Sequence, residues 1–244
     1  MVRGDKETNI KRGQDVGVVI DPGQIGSGAS FSGAEPNHFW LNIDGKEFST
    51  QSGISGADHR GDGRAIALFD YDRDGYQDFV LVGGNRPYVQ LYRNKIGDLM
   101  PSDSTYQPIY IRLVGGNKTP SSSTEWTARD GIGAKVVLKS GDLNISRELR
   151  CGEGLAAQNS STMPIGIGGN KSASLVVKWP TGKITEVAYA APGQVITVYE
   201  NPADAANSNS FVVSSISKVA KGVAQEVLAA KIHDDSQTSK LLLD

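Results

Sequence analysis

Cysteine is nearly missing from this chain. Cys151 is the only one, which excludes an intrachain disulfide and any zinc site built from thiolates. Past the strand at Ile145 to Leu149, it reads as a buried, inert thiol rather than a nucleophile. Histidine is almost as scarce. His38, His59 and His233 share no ligand spacing, so no histidine metal site is expected. Charge of either sign is not in excess. With 25 Lys and Arg against 27 Asp and Glu, the net charge of −2 gives no field to attract nucleic acid or an anionic membrane. No apolar run approaches the roughly 18 residues that cross a bilayer, so no transmembrane segment is expected. The opening Met1-Val2-Arg3-Gly4-Asp5-Lys6-Glu7 lacks the apolar core of a signal peptide. Either the chain is not exported by that route, or it is a mature or excised portion of something longer.

Catalytic signatures are missing too. There is no Gly-x-Ser-x-Gly elbow. Gly26-Ser27-Gly28 and Gly166-Ile167-Gly168-Gly169-Asn170-Lys171-Ser172 lack the order of a phosphate loop and lead into no helix, so they read as turns and bulges. No catalytic or cofactor-binding residue is assigned, and a non-enzymatic role is favoured. Arg3-Gly4-Asp5 matches an integrin-binding tripeptide, but three residues in a charged arm carry little information. Asn117, Asn144, Asn159 and Asn170 begin Asn-x-Ser/Thr sequons, which matter only for an exported eukaryotic chain.

What the chain has in quantity is glycine, 29 residues, and short apolar runs set between Gly, Asn, Asp and Ser clusters. Val18 to Ile20, Phe39 to Ile43, Ala65 to Phe69, Phe79 to Val82 and Tyr88 to Tyr92 read as one strand series. Ile109 to Val114, Ala134 to Leu138, Ile145 to Leu149, Leu175 to Trp179, Ile184 to Val187 and Val195 to Tyr199 read as a second. No helix-length periodic segment separates them, so the fold class is all-β. The plan is a flexible arm at 1–14, a β region at 15–96, a linker at 97–108, a β-sandwich-like domain at 109–200 and a linker at 201–210. An amphipathic helix at 211–232, with Ile216, Val219, Ala220, Val223, Val227 and Leu228 on one face, and a tail at 233–244 complete it. Val136, Leu138, Val176, Trp179, Ile196 and Val198 are expected to be buried.

One segment carries chemistry. Asp70-Tyr71-Asp72-Arg73-Asp74-Gly75-Tyr76-Gln77-Asp78 places carboxylates at alternating positions around a glycine. Asp70, Asp72 and Asp74 converge when such a loop coils, Gly75 permits the turn, the Tyr76 carbonyl faces inward and Asp78 closes the shell. All donors are oxygens, which suits Ca²⁺ with its roughly six to eight ligands better than zinc or copper. An EF-hand would need a closing Glu where Leu81 stands, and helices where the flanks read as strands. The expectation is a Ca²⁺ loop joining two antiparallel strands.

These residues also carry a resemblance. Asn37-His38-Phe39-Trp40-Leu41-Asn42, Gly45-Lys46-Glu47-Phe48, Gly63-Arg64-Ala65, Asp70 to Asp78 and Leu91-Tyr92-Arg93-Asn94 resemble the FG-GAP or VCBS repeats of integrin-like β-propellers. Gly131-Ile132-Gly133-Ala134-Lys135-Val136, Arg147-Glu148-Leu149, Gly152-Glu153-Gly154, Gln158-Asn159-Ser160, Ile165-Gly166-Ile167-Gly168 and Trp179-Pro180-Thr181-Gly182 resemble the ASPIC/UnbV domain. That domain follows such repeats in the cartilage acidic protein-like family. Ile165 and Ile167 stand where the family usually has Phe and Leu. The resemblance implies a partial β-propeller repeat with its Ca²⁺ loop, followed by the ASPIC/UnbV domain, as the C-terminal part of such a protein. There is material for only one or two blades, so either another protein chain or absent N-terminal blades would complete the sheet, or the repeat packs directly against the ASPIC/UnbV domain as a compact body without a propeller.

The function these readings point to is a calcium-stabilised, extracytoplasmic (secreted, periplasmic or lumenal) binding or scaffold module that displays β-sheet loops to a protein or glycan partner. One alternative is a structural subunit of a multi-chain assembly. The other, resting on the family association alone, is an enzyme or enzyme subunit of natural-product biosynthesis.

Overall fold

Short strands form every sheet of the computed structural model, which describes residues 36–84, 87–99 and 106–216. The chain divides into two units at Asp62/Gly63. The division thus falls inside the 15–96 region rather than in the 97–108 segment.

Among the described residues the first unit contains one hairpin, of β1 (Trp40–Ile43) and β2 (Glu47–Thr50), paired antiparallel from Trp40↔Thr50 to Ile43↔Glu47. Asp44 and Gly45 take successive left-handed conformations, φ 52° and 70°, as a tight primed turn requires. The Asn42 side chain accepts the Gly45 N–H at 2.8 Å.

The second unit begins with a meander of β3 (Gly63–Phe69), β4 (Asp78–Gly83) and β5 (Val89–Tyr92). All pairs are antiparallel, with Phe69 opposite Asp78 at the loop end. Phe79 and Tyr92 stack across β4 and β5 with ring centroids 4.6 Å apart. Two four-stranded sheets follow. One has the order β11 (Ile184–Ala190), β10 (Ala173–Lys178), β7 (Lys135–Ser140), β8 (Leu143–Glu148). The other has the order β13 (Phe211–Ser215), β12 (Gln194–Tyr199), β6 (Ile109–Val114), β9 (Met163–Ile165), with β6 and β12 parallel. Alternate residues of both sheets form one core, including Ile109, Ile111, Val136, Leu138, Val177 and Ile196. The fold is all-β, as the alternation of these runs implied. Truncating a side chain such as Leu138, which is fully buried, costs about 2–5 kcal/mol.

Trp179 is buried and its Nε1–H donates to Thr185 Oγ1 at 2.9 Å. Val176, expected inside, is only half-buried. Leu175 and Val177 hold the core positions of β10, while Val176 lies on the outer face opposite Val137 and Glu186. The segment at 211–232, expected to be an amphipathic helix, opens instead with strand β13. Its aromatic and β-branched residues Phe211, Val212 and Val213 pair with Val198, Thr197 and Ile196. Residues 217–232, the 233–244 tail, the 1–14 arm and the Val18 to Ile20 strand lie outside the described residues. Of the two linkers, Ile96–Leu99 makes one helical turn, and Pro202–Asp204 makes a 3₁₀ turn capped by Asn201.

Candidate metal centre at the β3–β4 turn

The acidic loop runs from the end of β3 to the start of β4, where antiparallel pairing brings its ends together. The fold draws Asp70, Asp72 and Asp78 into one cluster, with one carboxylate oxygen from each within 4.8 Å of the others. Among the described residues no other group of His, Cys, Asp or Glu converges in this way.

Backbone donors hold each carboxylate in place. Asp70 Oδ1 accepts the Asp74 N–H at 3.1 Å, and Oδ2 accepts the Gly75 N–H at 3.1 Å. Gly75 has φ 103°, a conformation that side-chain-bearing residues rarely adopt, so the glycine is required for the turn. Asp78 is fully buried; its Oδ2 accepts the Tyr71 N–H at 3.0 Å and its Oδ1 the Asn94 N–H at 2.7 Å. Tyr76 donates its N–H to Asp74 Oδ1 at 2.9 Å. Burial pushes the Asp78 carboxyl up to about 6 despite those two N–H groups. Burial also raises the Asp70 carboxyl, against the pull of its Tyr110 and Gly75 donors.

Asp74 lies outside the three-carboxylate cluster. Its Oδ2 lies 3.0 Å from Arg93 Nη2, and the same guanidinium reaches Asp72 Oδ2 at 2.7 Å and Asp98 Oδ2 at 2.7 Å. Arg93 therefore balances the outer side of the loop and leaves Asp70 and Asp78 to face inward without a cation. Three hard oxygen donors, two of them carrying raised carboxyls, form a donor set that fits a divalent cation.

Two further contacts were not foreseen. Tyr110 of β6 donates its hydroxyl to Asp70 Oδ2 at 3.0 Å. Asn159 Oδ1 accepts the Leu68 N–H at 2.8 Å, and the Leu68 carbonyl accepts the Ser160 N–H at 2.9 Å. The Gln158-Asn159-Ser160 motif thus caps the edge of β3 just before the acidic loop. Gln158 in turn accepts the Gly152 N–H at 2.6 Å, tying in the Gly152-Glu153-Gly154 turn.

The other sequence candidates take no part in this cluster. Cys151 is exposed, because the chain leaves the sheet after Glu148 and turns outward. His59 Nδ1 accepts the Gly61 N–H at 2.8 Å within its own loop. The Gly166–Ser172 stretch is a turn between β9 and β10, with Gly168 at φ 61°. His233, Arg3-Gly4-Asp5 and Gly26-Ser27-Gly28 lie outside the described residues.

A second polar centre closes the 115–130 loop. Glu200, at the end of β12, accepts the N–H groups of Gly116 at 3.0 Å and Thr127 at 2.7 Å. It also accepts the hydroxyls of Thr127 at 2.9 Å and Thr181 at 2.6 Å. Burial raises this carboxyl, but the four donors outweigh it and the net direction is down.

No curated protein matches the chain. The sandwich is where known proteins enter: residues 124–205, about a third of the 244-residue chain, match the family model described as ASPIC and UnbV, and the acidic loop lies outside that match.

Proposed function

We propose that the β3–β4 turn binds one Ca²⁺ and that the chain is a calcium-stabilised binding or scaffold module. The observation that carries this reading is the convergence of Asp70, Asp72 and Asp78 within 4.8 Å, with Asp78 fully buried. Asp70, Asp72 and Asp78 would hold the ion, joined by Asp74 or by the Tyr76 carbonyl. The ion would neutralise carboxylates that otherwise repel and pin the turn to both strands. Its role is structural.

Three carboxylates balanced in part by an arginine suit the weak end of calcium affinity, about 10⁻⁴ to 10⁻³ M, which is useful only where calcium is plentiful. This supports an extracytoplasmic setting, in which β-sheet loops are displayed to a protein or glycan partner. No helix among the described residues is long and apolar enough to cross a membrane. The test is a melting curve with and without Ca²⁺. The wild type gains stability with the ion, whereas Asp72→Asn gains much less; equal curves in the two proteins would overturn the reading.

Exposed apolar residues favour a second reading, a subunit of a larger assembly. Tyr88 and Val89 are 56% and 62% exposed on β5 and its approach, and β5 has no second strand partner among the described residues. In the first unit Trp40 and Phe48 are 54% and 66% exposed. Open edges and bare aromatics are places where another chain pairs. Light scattering would separate the readings: a monodisperse 25.9 kDa monomer speaks against obligate assembly.

A further inference from the structure

A cavity of about 450 Å³ opens beside the acidic loop, on the outer face of the sheet that contains β6 and β12. Tyr110 and Arg112 point there because they alternate with the core residues Ile109, Ile111 and Leu113. Arg73 reaches the same cavity from the loop, at a residue with φ 56°. Ser160, Thr162 and Ser215 add hydroxyls, and Phe69, Pro164, Val195 and Ile216 give it an apolar side.

The two arginines are the informative feature. Arg93, Arg129 and Arg150 all form ion pairs with carboxylates. Arg73 and Arg112 form none among the described residues, although both line a concave surface. The sole carboxylate in the lining, Asp70, is already engaged by Tyr110 and Gly75. Guanidinium groups favour oxyanions that present two oxygens side by side, such as carboxylate, phosphate or sulfate, which they bind through paired N–H donors. A volume of this size accommodates a small molecule rather than a polymer face.

We propose that this cavity binds an anionic sugar, its carboxylate or sulfate held by Arg73 and Arg112. The hydroxyls of Ser160, Thr162 and Ser215 meet the sugar hydroxyls, and the C–H face of the ring packs on Phe69, Pro164 and Val195. The proposal deepens the binding-module reading by naming the site and the ligand class, and it rests on that reading for the choice of a glycan. Asp70 belongs to both the cavity wall and the acidic loop, so an ion in the loop would lower the negative charge facing the ligand and strengthen its binding.

The test is ligand-observed NMR on the full chain, with sodium glucuronate, glucose 6-sulfate, glucose and sodium sulfate as separate probes. Each titration is run in Ca²⁺ and again in chelator. Binding by glucuronate or glucose 6-sulfate, with glucose and inorganic sulfate much weaker, supports the proposal and tells which anion is read. Arg112→Gln and Arg73→Gln should each weaken that binding by about tenfold, the scale of one lost charge-assisted pair. Arg129→Gln, away from the cavity, should leave it unchanged. Equal binding of glucose, inorganic sulfate binding as well as the sugars, or full binding in both cavity variants would overturn the proposal. Sugar binding that is the same in Ca²⁺ and chelator, with no calcium effect on melting, would sink the calcium reading and leave the cavity standing. A calcium effect on melting without any sugar binding would do the reverse.

Discussion

Tyr110 Oη donates to Asp70 Oδ2 at 3.0 Å, and that bond joins the core sandwich directly to the acidic loop. Tyr110 is 3% exposed. Its phenolic pKa is raised by burial and by the Asp70 charge, which keeps it a donor throughout the useful pH range. Tyr110→Phe should cost about 1.5–3 kcal/mol, the worth of a hydrogen bond to a charged acceptor. The stabilisation that Ca²⁺ gives to the sandwich should shrink with it. Trp126 and Trp179 fluorescence during denaturation reports both effects, and an unchanged calcium increment would show that loop and sandwich are not coupled.

Arg93 is a built-in counter-cation for Asp72 and Asp74. Arg93→Gln should therefore destabilise the ion-free protein by about 1–2 kcal/mol, since the pairs are only partly buried. The rise in melting temperature on adding Ca²⁺ should then exceed that of the wild type, because the loop has lost its internal cation. A smaller rise would mean that Arg93 orders the site rather than competing for its charge.

The pH dependence follows from Asp78, whose carboxyl is raised from 3.8 to about 6. A raised carboxyl binds its proton more tightly in the folded state. Its contribution to stability is present in full below the unfolded value and is lost as pH rises through about 6. Asp70 shifts in the same direction. The ion-free protein should thus lose stability as pH rises from about 4 to about 6, and Ca²⁺ should restore it at the upper end. Calcium affinity should fall as pH drops through 6, where Asp78 takes up its proton. Melting curves at several pH values, for wild type and Asp78→Asn, check both statements. A wild type whose calcium increment does not vary with pH would contradict them.

Glu200 behaves oppositely, because its carboxyl is lowered. Its contribution is present above the unfolded value of 4.5 and is lost as pH falls through the folded one. Glu200→Ala leaves the N–H groups of Gly116 and Thr127 without their acceptor and should cost about 3 kcal/mol. Hydrogen exchange of the 115–130 amides should accelerate first; uniform acceleration across the sandwich would show that Glu200 does not act locally.

The strands and the acidic loop were legible because their signals are local. Alternation in Lys135 to Ser140 and the Asp spacing from Asp70 to Asp78 need no knowledge of the rest of the chain. What was not legible depends on contacts distant in sequence. Arg93 reaches back 21 residues to Asp72, Tyr110 reaches 40 to Asp70, and Asn159 reaches 91 to Leu68. The Leu91-Tyr92-Arg93-Asn94 and Gln158-Asn159-Ser160 stretches stood out as family-like, but nothing in them announces a carboxylate or a strand edge as the target. Phe211 to Ser215 reads as the approach to a helix because its pairing partner, β12, is chosen by the tertiary fold.

Calorimetry of Ca²⁺ into chelator-stripped protein tests the central claim most directly. Binding of one ion per chain, accompanied by a higher melting temperature and abolished by Asp78→Asn, is the predicted result. No heat and no change in melting temperature at millimolar Ca²⁺ would contradict it.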